Sequence, residues 1–238
     1  MSLRYNDDQR LLADSARDFL AARSPVSAQR RLRDEAVALG FDPQLWRDAV
    51  GLGWSAIAFP EAFGGLDFGC KGLGPIFESM GRNLSATPLL SSVVLGGSLV
   101  QLAGNSAQQA QWLPALIGGE QRLALAVDEQ SRHDPRRIAL EAKAEGQGYR
   151  LHGDKFWVVD GLGADAYVVA ARTSEQPGET QGISLFLVPA DTKGLTVSAL
   201  ALIDSRNSAR LQLDGVQLGS DALLGTLGEG WAALETAL

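Results

Sequence analysis

The chain has 238 residues, 45% hydrophobic and 21% charged, with a formal net charge of −7. That is the balance of a globular protein with one large domain or two ordinary ones. The acidic excess argues against a general affinity for nucleic acid or an anionic membrane, because phosphates are repelled. One cysteine, Cys70, and two histidines, His133 and His152, exclude an internal disulfide framework, a cysteine-rich metal site and a zinc motif.

The N-terminus, Met1-Ser2-Leu3-Arg4-Tyr5, has no apolar signal core, and no apolar run is long enough to span a bilayer, so a cytoplasmic protein with no membrane role is expected. Asn6 followed by Gln9 reads as a capping box opening a helix, with Leu12, Ala16, Phe19 and Leu20 on one face. Ser24-Pro25 ends it, because proline disfavours α geometry in the residue before it. A second helical pattern runs from about Ser27 to Leu39 and stops at Gly40. Asp42-Pro43 opens a third, whose apolar face holds Leu45, Trp46 and Ala49. The run Gly53 to Pro60 leads to a loop with the pair Gly64-Gly65, which permits close backbone approach by a helix or a ligand, with a tight interhelical loop favoured on spacing alone. Helices resume near Leu73–Leu84, Pro88–Leu102 and Ser106–Leu116.

After Gly118-Gly119-Glu120 the hydrophobic period falls to two. Ile138, Leu140, Ala142 and Ala144 alternate with Ala139, Glu141 and Lys143. Further strands are expected at Tyr149–His152, Lys155–Val159, Ala166–Ala171, Ile183–Val188, Thr196–Leu200 and Ala209–Leu213, a spacing that suggests a β-barrel or sandwich. Thr173 to Gln181 is polar and reads as a solvated hairpin or loop. A basic cluster, Arg132, His133, Arg136 and Arg137, reads as solvated surface or a phosphate contact. Trp157, before the turn dipeptide Asp160-Gly161, either fills a core or faces a ligand. Gly228-Glu229-Gly230 opens a helical pattern, Trp231 to Leu238, that stops in mid-course. No dinucleotide-binding glycine motif, P-loop, G-x-S-x-G or legible triad occurs, and no carboxylate, Glu61 and Glu129 included, can be nominated as a base from spacing.

Five stretches taken in order carry a resemblance that each alone would not. Pro60-Glu61-Ala62-Phe63-Gly64-Gly65 is similar to P-E-x-x-G-G, and Gly153-Asp154-Lys155-Phe156-Trp157-Val158-Val159 is similar to G-x-K-x-W-I-T. Ala126-Val127-Asp128-Glu129-Gln130 stands where A-L-T-E-P is found. Gly104 through Trp112-Leu113-Pro114 to Glu120, and Leu223-Leu224-Gly225 with Gly228-Glu229-Gly230, complete the set. Over essentially its whole length the chain resembles the acyl-CoA dehydrogenase family of flavoproteins.

The resemblance implies an α+β fold: a helical N-terminal domain (1–120), a middle β-barrel domain (121–225) and the first turns (226–238) of a C-terminal four-helix bundle otherwise absent. It implies FAD as cofactor, acyl-CoA as substrate, electron-transfer flavoprotein as electron acceptor and a homo- or hetero-oligomer. It places the flavin edge at Ala126, Val127, Asp128, Trp157, Val158 and Val159, with Trp157 beside the flavin ring. The catalytic base is expected in the missing C-terminal domain, so the 238-residue form alone is expected to be inactive.

Departures gather at the flavin and substrate edge. Val159 replaces a hydroxyl residue, Asp128 a Thr and Gln130 a Pro. Asp134 falls where the family has a substrate-contacting Ser, and Ser131 could substitute only after a small shift. The resemblance is therefore nearest to the short or degenerate subunit of two-subunit acyl-CoA dehydrogenases. The expected function is α,β-dehydrogenation of an acyl-CoA, alone or as a subunit. The alternative is a non-catalytic structural partner in a heteromeric enzyme.

Overall fold

A computed structural model describes residues 5–238, so the reading of Met1–Arg4 lies outside the described residues. The first half is helical. α1 (Asp7–Arg23) opens with the expected reciprocal cap between Asn6 and Gln9 and buries Ala16 and Leu20. α2 (Val26–Asp34) is shorter than its pattern, because Ala36 turns to φ 48° and Val37 N–H reaches back to Leu32 O. α3 (Pro43–Gly51) starts on the Asp42 cap and buries Leu45, Trp46 and Ala49. α4 spans Cys70–Asn83, followed by a wide π-type turn segment, Leu90–Gly97, that runs into α5 (Ser98–Ala103), and then by α6 (Ser106–Ile117). Gly96 and Gly97 let this helix come close to its neighbours: a Cβ on the first would meet Leu123, and on the second the Phe59 ring.

The Gly64-Gly65 loop folds tightly on itself. A Cβ at Gly65 would run into the Phe59 carbonyl, while Leu66, Asp67 and Phe68 donate back to Ala56, Phe59 and Ile57.

The second half is an eight-stranded sheet: β1 (Leu123–Ala126), β2 (Glu141–Glu145), β3 (Gly148–Val159), β4 (Ala166–Arg172), β5 (Ile183–Pro189), β6 (Leu195–Ala199), β7 (Ser208–Gly219) and β8 (Leu223–Leu224). The order is β6-β7-β3-β2-β4-β5-β8, with β1 pairing parallel to β4. The expected closed barrel is not what forms. β6 and β8 are unpaired edges at the two ends of the order, and one bridge, Glu141 with Arg172, joins the halves.

Three strand expectations are corrected. Tyr149–His152 and Lys155–Val159 are one strand, carried through Gly153-Asp154 by pairing with β7. Ala209–Leu213 extends to Gly219, with Asp214-Gly215 absorbed as a bulge. Ile138 and Leu140 are buried, but β2 starts at Glu141.

The burial of β4 explains how the halves join. Ala166, Val168 and Ala170 face the helical core, while Tyr167, Val169 and Ala171 face the interior of the sheet domain. Alternation sends successive side chains to opposite faces, and here both faces are covered. β1 does the same with Leu123 and Leu125 on one side and Ala124 and Ala126 on the other. Gln108 on α6 donates to the carbonyls of Asp221 (2.7 Å) and Leu223 (2.9 Å), pinning the helical layer to the last strand. α7 (Trp231–Ala237) packs Leu234 into the helical core.

Candidate functional site

The end of β3 is irregular in a way that shapes a rim. Lys155 pairs with Leu211 but Val158 with Ala209, so one extra residue is squeezed into β3. That bulge carries Trp157 at φ 57°, a left-handed conformation that costs an L side chain about 1 kcal/mol. Strain of this kind persists only when its surroundings hold it. Here the Trp157 indole N–H donates to Gln130 O at 2.8 Å, and the Phe156 N–H donates to Asp128 O at 2.7 Å. The two segments, 126–130 and 155–159, are thereby stitched side by side. Trp157 and Val159 are each 42% exposed, two apolar side chains facing solvent on one strand end.

A buried charge holds the same junction from beneath. Lys155 is fully buried, and its Nζ donates to Val127 O (2.9 Å) and to Glu129 Oε1 (2.6 Å). Burial pushes its ammonium down to about 8, against Glu129, which holds it up. The Glu129 carboxylate also accepts from Ala139 N–H (2.8 Å) and Leu140 N–H (3.0 Å), so it ties the rim to the approach to β2. Arg172 completes the cluster. Its guanidinium donates to the carbonyls of Arg136, Ile138, Glu179 and Gln181, stapling the 131–139 loop to the polar 173–181 loop. Burial lowers its pKa.

Asp128 turns toward the following loop. Its carboxylate meets His133 Nδ1 at 2.9 Å and accepts from Asp134 N–H at 3.3 Å, folding the loop back on its own base. Ser131, Arg132, His133 and Asp134 are exposed on that loop, and Arg136 lies over the Trp231 ring at 5.5 Å. Of the six expected edge residues, Ala126, Val127 and Val158 have buried side chains, so only their backbone can serve a ligand. Asp128, Trp157 and Val159 keep side chains at or near the surface. Lys155, Glu129 and Arg172 were not assigned roles from sequence. A lysine inside an otherwise apolar strand, Phe156-Trp157-Val158-Val159, is the signal that could have found the first.

A helical layer on an open sheet, with an indole-bearing rim, defines a two-domain α+β protein. Residues 6–120 match the model of the acyl-CoA dehydrogenase N-terminal domain, and residues 124–216 that of the acyl-CoA dehydrogenase middle domain. The chain is 32% identical over 185 residues to the acyl-CoA dehydrogenase FadE27 of Mycobacterium tuberculosis, covering 78% of this chain and 47% of that one. It therefore spans about half the length of the curated relatives it matches.

Two solved structures superpose closely. The ChsE4-ChsE5 complex from Mycobacterium tuberculosis gives a TM-score of 0.87 at 28% identity, covering 100% of this chain and 62% of that one. A variant of the Tcur3481-Tcur3483 steroid ACAD gives 0.84 at 28% identity, covering 97% and 60%. This chain belongs to the acyl-CoA dehydrogenase family.

Proposed function

We propose that the chain is the helical and β portion of a flavin-dependent acyl-CoA dehydrogenase, or of one subunit of such an enzyme, and that its β3 rim is the flavin edge. The carrying observation is the exposed Trp157 indole, held in a left-handed bulge by Gln130 O beside an exposed Val159. The donor set fits a flat, partly apolar ring system such as that of FAD. Trp157 offers a face for stacking and Val159 an aliphatic contact, and this reading assigns the ring's polar edge to the backbone of Ala126, Val127, Asp128, Val158 and Val159. When bound, FAD supplies the hydride acceptor for α,β-dehydrogenation of an acyl-CoA thioester.

The chain's own residues bind and orient. Val159 brings no hydroxyl, so the site forgoes one hydrogen bond worth about 0.5–1.5 kcal/mol, which weakens binding without abolishing it. The Asp128 carboxylate is drawn to His133 and Asp134, which keeps its charge engaged with the loop. No carboxylate here is assigned to the α-proton; in this reading the base comes from a C-terminal helical domain outside these 238 residues. The functional division is then 1–120, 121–225 and 226–238, in a cytoplasmic oligomer that passes electrons to an electron-transfer flavoprotein.

A second reading, a non-catalytic partner subunit, is favoured by one feature. An exposed Asp134 carboxylate, with Ser131 as the only nearby hydroxyl on the loop, suits an acyl-CoA poorly. An intact mass and a flavin spectrum on the same purified sample separate the two. Yellow protein whose flavin is reduced by acyl-CoA once the C-terminal domain or a second subunit is supplied supports the enzyme. Colourless protein that restores activity to a second, flavin-bearing subunit supports the partner role. The 238-residue form alone is expected to show no acyl-CoA turnover, and detectable turnover would overturn the assignment of the base.

A further inference from the structure

A cavity of about 440 Å³ opens between α6 and the sheet, where β5 and the end of β7 meet the turn Ser220–Ala222. That size lies within the range of small-molecule sites, which favour domain junctions. Its apolar wall is Trp112 from the helix and Leu187, Pro189, Leu218 and Ala222 from the sheet side. Its polar wall is neutral with one exception: Gln111, Gln217 and Thr192 carry no charge, and Asp221 does. No lysine or arginine lines it, and Asp191 and Lys193, on either side of Thr192, stand outside the wall.

Asp221 is held in place through its main chain, where Gln108 on α6 donates to Asp221 O at 2.7 Å. Trp112 stands four residues on from Gln108, one turn along the same helix face, so the indole and the Asp221 segment border one groove. The carboxylate lies back over the end of β7, where Gly219 leaves room for it: a Cβ there would run into Asp221 Oδ1. Gly219 also lines the cavity, so the charge sits on its wall. Among the described residues no cationic side chain pairs with it.

A carboxylate without a counter-ion, in one wall with an indole and aliphatic side chains, is complementary to an organic cation. Tryptophan attracts a cation best among the aromatic side chains, and a cleft lined by one sign of charge concentrates the opposite sign. The net charge of −7 acts in the same direction. An anion would meet Asp221 with nothing in the wall to neutralise it. We propose that this groove binds an alkyl- or arylammonium ion, its apolar body on Trp112, Leu187 and Leu218 and its nitrogen at the Asp221 carboxylate. None of these residues belongs to the β3 rim, so the proposal stands or falls apart from the flavin reading, and a polyanionic acyl-CoA is not the occupant.

The 238-residue chain has five tryptophans, whose indole N–H signals are followed by NMR on 15N-labelled protein, and Trp112→Phe identifies the Trp112 signal. Phenethylammonium, phenethyl alcohol and hydrocinnamate, alike in shape and different in charge, are titrated at pH 7 and low salt. The ammonium is expected to shift the Trp112 signal saturably, with the alcohol about tenfold weaker and the carboxylate weaker still. Asp221→Asn keeps the shape of the side chain and is expected to weaken the ammonium about fivefold while leaving the alcohol unchanged. Gln217→Lys, at an exposed strand position on the same wall, is expected to weaken the ammonium and strengthen the carboxylate.

Added salt should weaken the ammonium and spare the alcohol. No saturable shift at Trp112, a shift confined to the other indoles, or binding of the alcohol or carboxylate as tight as that of the ammonium would overturn the proposal. So would an Asp221→Asn variant that binds the ammonium unchanged, a Gln217→Lys variant that moves neither charged probe, or ammonium binding indifferent to salt.

Discussion

Replacing Lys155 with Met tests whether the rim is held by buried charge or only by strand pairing. The side chain is fully buried, with Nζ on Val127 O at 2.9 Å and Glu129 Oε1 at 2.6 Å. Met fills the stem's volume but removes both bonds and leaves Glu129 with two amide donors. Breaking a buried pair from one side costs about 3–5 kcal/mol. The retained Ala139 and Leu140 amides put the expected loss at pH 7 near the lower end, about 3 kcal/mol.

The pH dependence gives a sharper signature. Burial lowers the folded-state pKa of Lys155 from 10.5 to about 8. Between those values the unfolded chain binds more protons than the native one, so the wild type gains stability as pH rises through the window. At about 1.36 kcal/mol per pH unit the full window is worth about 3 kcal/mol. The Met variant has no such group. Urea unfolding followed by tryptophan fluorescence at pH 7, 8.5 and 10 should therefore show the gap between wild type and Lys155→Met widening by about 2–3 kcal/mol. A gap that stays flat or narrows refutes the reasoning, because it would mean the ammonium is not desolvated.

Asp160→Asn should have the opposite pH sense. Burial raises the folded pKa from 3.8 to about 6, so the native state binds more protons in that window and loses stability as pH rises through it. The Asn variant should then be about 2 kcal/mol more stable than wild type at pH 7, with the gain gone by pH 4, read from urea midpoints at both values. Gly65→Ala should lower stability by at least about 2 kcal/mol, a fall in melting temperature of roughly 5 °C by calorimetry, because the new Cβ has only the backbone carbonyls of Phe59 and Pro60 to meet. Trp157→Gly should be nearly neutral for folding. Relief of the left-handed strain, about 1 kcal/mol, offsets loss of the bond to Gln130 O, while flavin retention in a titration falls at least about tenfold. Unchanged flavin retention would remove the indole from the proposed edge.

Much of the local structure was legible from neighbours in sequence. The Asn6–Gln9 capping box and the Asp42 N-cap before Pro43 form as expected, since each cap's partner lies within three residues of it. β4 and β5 appear where their apolar runs stand. The misread strands depend on distant partners, whereas the shortened second helix ends in a local turn. Gly153-Asp154 looks like a turn, yet stays in strand because β7 pairs along its whole length. The Ser27–Leu39 pattern supports a longer helix than forms, with the chain turning at Ala36. Short strands at regular spacing suit a barrel, but closure requires the two edge strands to meet, and here the helical layer covers the β1–β4–β5 face.

The candidate site divides along the same line. The order of five short motifs in the sequence determined the family, and with it the residues that could form an edge. Whether those residues meet was decided by contacts between positions 26 to 28 apart in the chain: Lys155 with Glu129, Trp157 with Gln130, Lys155 with Val127. Periodicity reports which face of an element is apolar; it carries no information about which carbonyl a buried ammonium will reach. The tertiary structure alone buried Val158 and left Trp157 exposed, because each outcome depends on a chain segment that local pattern does not see.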